Sequence, residues 1–221
     1  MPQFRLPAVD QRTSIFGRTG TGKTVFGAFI LSHAAYTDQP YIMFDYKRDK
    51  LLTKIPAVEL DLTSSIPKKA GMYIVHPRPK TDDVAVEAML WRIWEREDCG
   101  VFFDEMYVLP DKGALQAILT QGRSKHIPAI CLSQRPVWVS RMVVSEADFF
   151  AVFRLKHPDD RKTVDGFIGN GVASQVLTMP RYHSIWYDVG EDVTFHMLPA
   201  PPEKEILERF HERLKPKRRS W

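Results

Sequence analysis

Eight consecutive residues, Gly17-Arg18-Thr19-Gly20-Thr21-Gly22-Lys23-Thr24, fit the pattern G-x-x-x-x-G-K-[ST]. A loop that wraps a triphosphate must turn successive backbone N–H groups inward, and glycine supplies both the dihedrals and the close approach this needs. Lys23 offers a point positive charge to the β- and γ-phosphates, and the Thr24 hydroxyl is a ligand for Mg2+. A second group with matching chemistry, Asp104-Glu105, closes the apolar run Val101-Phe102-Phe103. Beside a phosphate loop, a carboxylate at the end of a neighbouring strand holds Mg2+, usually through water, and Asp104 is placed for that. Glu105, one position on, can orient and deprotonate a water for attack on the γ-phosphate, a group for which a phosphotransfer kinase has no use. A third run ends in Ser133-Gln134-Arg135-Pro136, where the Gln134 amide can touch the γ-phosphate or the attacking water and report hydrolysis. Many strands end in charges, and Ser and Pro start turns for local reasons. Three strand ends directed at one crevice favour the chemical reading.

The flanks say which elements must position these groups. Thr13–Phe16 reads as a short buried strand leading into the loop, and Val25–Leu31 as a core-packed helix whose N-terminus faces the anion. Further strands are expected at Tyr41–Tyr46, within Pro56–Pro67, at Met72–His76, Gly100–Glu105, Ile127–Gln134 and Phe149–Leu155. Helices are expected at residues 82–97, where Val84, Met89, Leu90, Ile93 and Trp94 recur at helical spacing, and at Gly113–Lys125, Val139–Glu146 and past Pro158 to Phe167. A glycine-rich turn at Gly169-Asn170-Gly171 precedes an antiparallel hairpin, His183–Val189 and Val193–Leu198. Pro199-Ala200-Pro201-Pro202 is a stiff linker into a last helix, Glu203–Leu214. Alternating strands and helices make this an α/β chain with a mostly parallel sheet covered by helices on both faces. The organisation expected is a lead-in over residues 1–11, one catalytic domain over 12–198, and a linker, helix and basic tail over 199–221. The lead-in has room to lie across the domain or to reach a neighbouring subunit.

Composition bounds the class. At 221 residues with 44% hydrophobic and 26% charged content, the chain suits one soluble domain. No apolar run is long enough to span a membrane, and Arg5 in a proline-bearing N-terminus makes no signal peptide. Two cysteines, Cys99 and Cys131, lie beside apolar runs without metal spacing, which fits reduced core residues of a cytoplasmic protein. A net charge of +4 is too small to identify a nucleic-acid binder, although Lys215-Pro216-Lys217-Arg218-Arg219 closes the chain as a basic tail suited to a solvated terminus or to contact with DNA or a capsid. Asp45 and Lys47 read as an ion pair at the crevice rim. His76, His126, His157 and His183 show no metal or triad spacing, and Trp186-Tyr187 reads as hairpin core.

Taken together, GRTGTGKT, VFFDE, LTQGRSKHIPAICLSQRP and SEADFFAVFRLKHPDD resemble the FtsK–HerA superfamily of P-loop ATPases. The likeness is greatest to the compact genome-packaging ATPases of tailless, often membrane-containing, double-stranded DNA viruses, and it covers roughly residues 12 to 168. It implies a RecA-like core with an additional strand and a catalytic glutamate, working as a ring, commonly a hexamer, that pulls duplex DNA through its pore. Phosphate binding then falls to Gly17–Thr24, Mg2+ to Asp104, water activation to Glu105 and sensing to Gln134. The family also delivers an arginine finger from the adjacent subunit. Arg123, just before the sensor strand, is favoured, with Arg154 at the end of the Phe149–Phe153 strand as the alternative. The expected function is a Mg2+- and ATP-dependent translocase of double-stranded DNA in viral genome packaging, with capsid or portal-vertex components as further partners. The rivals are a related phage-assembly or DNA-transfer ATPase, a small-molecule kinase, and a nucleotide-gated scaffold that binds ATP without turnover.

Overall fold

The structure, a computed structural model, describes residues 3–110, 113–169 and 171–215. Its centre is a nine-stranded sheet in the order β3-β4-β2-β5-β6-β1-β7-β8-β9. The strands are β1 (Arg12–Phe16), β2 (Pro40–Asp45), β3 (Val58–Glu59), β4 (Gly71–Val75), β5 (Gly100–Asp104), β6 (Ala129–Ser133), β7 (Phe149–Phe153), β8 (Ser184–Asp188) and β9 (Val193–Met197). Strands β1 to β7 run parallel, whereas β8 and β9 return antiparallel as a hairpin against β7. Every residue of β1, β2, β5, β6 and β7 is buried, as parallel strands covered on both faces must be. Strand β6 lies between β1 and β5, so one strand separates the phosphate loop from Asp104. This is the additional-strand order, and it brings the three suspected strand ends to the same edge.

Among the described residues seven helices cover the sheet: α1 (Lys23–His33), α2 (Asp83–Arg96), α3 (Gly113–Gln121), α4 (Arg141–Ser145), α5 (Pro158–Ile168), α6 (Val172–Thr178) and α7 (Glu203–Leu214). One core layer joins α2 to α6 with one sheet face, and a second joins α1 and α7 with the other. The α2 side chains that enter the core are Val86, Met89, Leu90 and Ile93, one stripe at i, i+3, i+4 and i+7. Val84, counted into that stripe from sequence, is instead 79% exposed. Helix α7 docks through Ile206 and Phe210, with Phe210 stacked on Tyr36 at 5.4 Å between ring centroids.

The short strand expected within Pro56–Pro67 is β3, two residues long. Two expectations need correction. Helix α3 stops at Gln121 rather than Lys125: the Gly122 N–H makes the last i→i−4 bond, to Ile118 O, and the Gly122 carbonyl then accepts from Ile127 N at 2.8 Å, turning the chain into β6. Helix α6 follows directly on the glycine turn that looked terminal, with Val172 and Val176 buried. The lead-in does lie across its own domain. Phe4 packs on Trp186 at 5.7 Å, and the Arg5 guanidinium bonds both oxygens of the Asp188 carboxylate. Residues 216–219 of the basic tail lie outside the described residues.

Candidate functional site

The site forms where β1, β2, β5 and β6 end. The phosphate loop leaves β1 at Gly17, whose N–H donates to Ser133 O at 3.2 Å and so ties the loop to the end of β6. A Cβ on Gly17 would stand 2.7 Å from both Phe153 Cβ and Thr21 Oγ1, so only glycine fits between the loop and β7. Gly22 has φ +94, in the left-handed region, and starts α1 with its carbonyl accepting from Phe26 N. Helix α1 has no acidic residue in its first turn, which leaves its N-terminal N–H groups and dipole suited to an anion.

Lys23 is buried and meets the acidic pair directly. Its Nζ lies 3.1 Å from Glu105 Oε1 and 3.8 Å from Asp104 Oδ1. The Thr24 hydroxyl donates to Asp104 Oδ1 at 3.4 Å. Asp104 and Glu105 are each 1% exposed, and Asp104 Oδ2 and Glu105 Oε2 are buried without a hydrogen-bond partner. Unpartnered buried carboxylate oxygens cost free energy in a folded protein, which marks these two as candidates for a ligand. Burial pushes the Asp104 carboxyl up to about 6, helped by the Glu105 charge and opposed by Lys23. Burial raises Glu105 as well, but the ammonium groups of Lys23 and Lys47 outweigh it and hold Glu105 below its ordinary value. The two adjacent carboxyls are thus pushed apart in acidity. Glu105 also takes φ +61, ψ +53, a left-handed conformation that glutamate adopts at a cost of order 1–3 kcal/mol. In that conformation its side chain reaches Lys23.

Lys47 joins this cluster, where the sequence predicts an ion pair with Asp45. Its Nζ bonds Glu105 Oε1, not Asp45. Asp45 is fully buried and its carboxylate accepts the backbone N–H groups of Lys47 and Asp49, with His76 Nδ1 at 3.5 Å. Burial raises the Asp45 carboxyl above its usual range. A spacing of two residues suggested a side-chain pair; it encodes a carboxylate that ties its own turn. The other addition is Tyr182, at φ +67, whose ring lies 3.1 Å from where a Gly22 Cβ would stand. The Arg181 guanidinium covers that ring at 4.6 Å. Tyr182 shares a cleft of about 330 Å³ with Gly22, Thr24, Lys47 and Glu105. Nothing in its sequence neighbourhood marked Tyr182; only the return of the chain from α6 to β8 brings it to the loop.

The remaining candidates separate. Gln134 stands at the same sheet edge just past β6, but it borders a second cleft of about 550 Å³ with Arg18, Thr19 and Arg135. Arg154, just past β7, lies beside its own loop, lining a pocket with Gly20 and Thr21 and donating to Leu177 O at 3.2 Å. Arg123 is at the opposite edge of the sheet. It is paired with Asp10 at 3.5 Å and Asp148 at 3.9 Å, residues that precede β1 and β7. His76 and His126 take carboxylate partners, His157 caps α5 and His183 meets His196, without a third metal-ligating group among the described residues. Trp186 is fully buried, and Cys99 and Cys131 are unpaired core thiols pushed up to about 12 by burial.

No family model matches the chain. It is 42% identical over 216 residues to the DNA packaging ATPase P9 of Enterobacteria phage PRD1, covering 94% of this chain and 95% of that one. Its fold is similar to that of the genome packaging NTPase B204 of Sulfolobus turreted icosahedral virus 2 in complex with AMPPCP. That match has a TM-score of 0.71 at 20% identity and covers 86% of this chain and 98% of that one. It is also similar to VirB4 of Thermoanaerobacter pseudethanolicus, with a TM-score of 0.65 at 11% identity over 88% and 91% of the two chains.

Proposed function

This chain belongs to the family of viral DNA packaging ATPases, and from that premise we propose that it hydrolyses Mg2+-bound ATP to drive double-stranded DNA into a viral capsid, working as a ring. The observation that carries the reading is the buried Lys23–Asp104–Glu105 cluster at the mouth of the phosphate loop. Backbone N–H groups of Gly17–Thr24 and the α1 N-terminus bind the phosphates, and Lys23 moves its charge from the carboxylates to the β- and γ-phosphates. The Thr24 hydroxyl and Asp104, with its unpartnered Oδ2, fit a divalent cation and would hold Mg2+. When bound, Mg2+ neutralises charge on the β- and γ-phosphate oxygens. Glu105 accepts the proton of the attacking water on a carboxylate oxygen. Gln134 sits where a change at the loop reaches it through the Gly17–Ser133 hydrogen bond.

The face of Tyr182, braced by Arg181, suits stacking of the nucleotide base. For the arginine finger, Arg154 stands beside its own loop, whereas Arg123 is 60% exposed at the far edge. An exposed guanidinium can leave its pairs with Asp10 and Asp148 at little cost, since such pairs contribute about 0–1 kcal/mol. Arg123 is therefore the residue we assign to the neighbouring subunit's γ-phosphate, with Arg154 as the alternative. Duplex DNA, a hexameric ring, capsid or portal-vertex contacts and action in the host cytoplasm belong to the same reading. No helix among the described residues is long and apolar enough to cross a membrane.

The test is steady-state hydrolysis with purified protein. Mg2+-dependent release of phosphate from ATP, lost on Lys23→Ala and on Glu105→Gln, is the expected result. Turnover that survives either substitution removes the mechanism, and transfer of the γ-phosphate to a nucleoside would make the protein a kinase instead.

A further inference from the structure

We infer that Lys47 is the positioning residue of Glu105, anchoring one carboxylate oxygen so that the other is left for water, and that Asp45 acts by fixing the turn that carries Lys47. The inference rests on the assignment of Glu105 as the group that activates water. Two ammonium groups meet on a single oxygen of Glu105. Lys23 Nζ stands 3.1 Å from Oε1, and Lys47 Nζ bonds the same atom. Oε2 is buried and without a partner. The two lysines are not equivalent. Lys23 rises from α1 at the base of the loop, where a bound triphosphate competes for its charge. Lys47 comes from the turn after β2, a different element, and is 42% exposed where it lines the cleft. Once a phosphate draws Lys23 away, Lys47 is the cation that remains on Glu105. A glutamate held in a strained left-handed conformation, with one oxygen unpartnered, needs such a contact to keep a single orientation.

The turn is built for this. Asp45 forms a register pair with Asp104 across β2 and β5, so the two strands end level and the chain beyond β2 overhangs the acidic pair. Its carboxylate accepts from Lys47 N at 3.2 Å and from Asp49 N at 3.0 and 3.1 Å, which closes residues 45–49 into a compact loop. Arg48 takes φ +52 within it. That kink leaves the Lys47 side chain directed at Glu105 while Arg48 stays at the surface. No carboxylate of this loop competes for the Lys47 ammonium, because Asp45 and Asp49 are occupied with backbone N–H groups.

The experiment compares Lys47→Met, Lys47→Arg and Lys47→Ala with wild type in kcat, KM for MgATP, nucleotide affinity and melting temperature, with Glu105→Gln alongside. Lys47→Met is expected to lower kcat by about tenfold or more, while KM and nucleotide affinity change by less than about twofold. Lys47→Arg should recover most of the loss, and ethylammonium in solution should partly restore Lys47→Ala, which a merely structural role would not allow. Asp45→Asn should repeat the kcat defect in milder form. Wild-type kcat in Lys47→Met overturns the inference. So does a loss confined to nucleotide affinity, which would make Lys47 a phosphate ligand, and so does faster turnover, which would make it a brake. If Glu105→Gln itself keeps full turnover, the assignment of the water-activating group fails instead. If Glu105→Gln is inactive and Lys47→Met is not, only the role of Lys47 fails.

Discussion

The residues proposed to do the chemistry are few, and most announce themselves. Gly17–Thr24 and Asp104-Glu105 are legible because their chemistry demands particular types at particular spacings. Lys47 was visible but misread, since sequence shows that Asp45 and Lys47 are close without showing that one binds backbone and the other crosses to β5. Tyr182 carried no signal, because an aromatic residue on a loop has many plainer uses. Replacing Glu105 by Gln should lower kcat by about 10²–10⁴-fold, the usual range for losing a general base, with MgATP still bound; rapid filtration of the retained nucleotide checks both halves. Asp104 adds a pH dependence of definite sign. Burial favours its neutral acid, so below about pH 6 the carboxyl is protonated and cannot ligate a cation. Mg2+ affinity, followed by titration calorimetry, should therefore be flat above that point and fall about tenfold per pH unit below it. The same shift predicts that charging Asp104 removes stability as pH rises through about 6. At pH 8 without divalent cations, Asp104→Asn should accordingly melt a few degrees higher than wild type while being inactive, a difference that scanning fluorimetry resolves.

At the scale of elements, buried parallel strands read well because they are continuous apolar runs, and α7 was placed to the residue by its proline linker and charged first turn. The order in which strands pair is not legible locally: that β6 inserts between β1 and β5 is expected only from the family resemblance, which implies an additional strand, and the sheet carries it. Helix α6 was missed because a glycine turn looks like an ending, and α2 was found with its inward face misjudged at Val84. The hairpin matters more than its position outside the family resemblance suggests. Trp186 is fully buried, stacks on Phe149 at 5.1 Å and receives Phe4 from the lead-in. Trp186→Ala should cost about 3–5 kcal/mol, as for other large-to-small core changes. Urea denaturation followed by circular dichroism would show the midpoint fall, and a loss below about 1 kcal/mol would mean that β8 and β9 are an appendage to the core.

For the whole molecule, the site on one chain supplies the loop, the acidic pair and the lysine proposed to position Glu105, while its two candidate fingers sit at opposite edges of the sheet. A finger acting between subunits makes hydrolysis a property of neighbours. Mixing wild type with inactive Lys23→Ala protein should then reduce activity more than in proportion to dilution, and Arg123→Ala should abolish turnover while leaving nucleotide affinity unchanged. If activity falls linearly on mixing, each site works alone and the ring plays no part in chemistry. The central claim, that ATP hydrolysis at Lys23 and Glu105 moves this protein along duplex DNA, is tested most directly by displacement of a triplex-forming strand from a linear duplex. Displacement that requires MgATP and disappears in Glu105→Gln is the result expected. Brisk ATP hydrolysis with the triplex left intact, at protein concentrations that saturate the duplex, would contradict it.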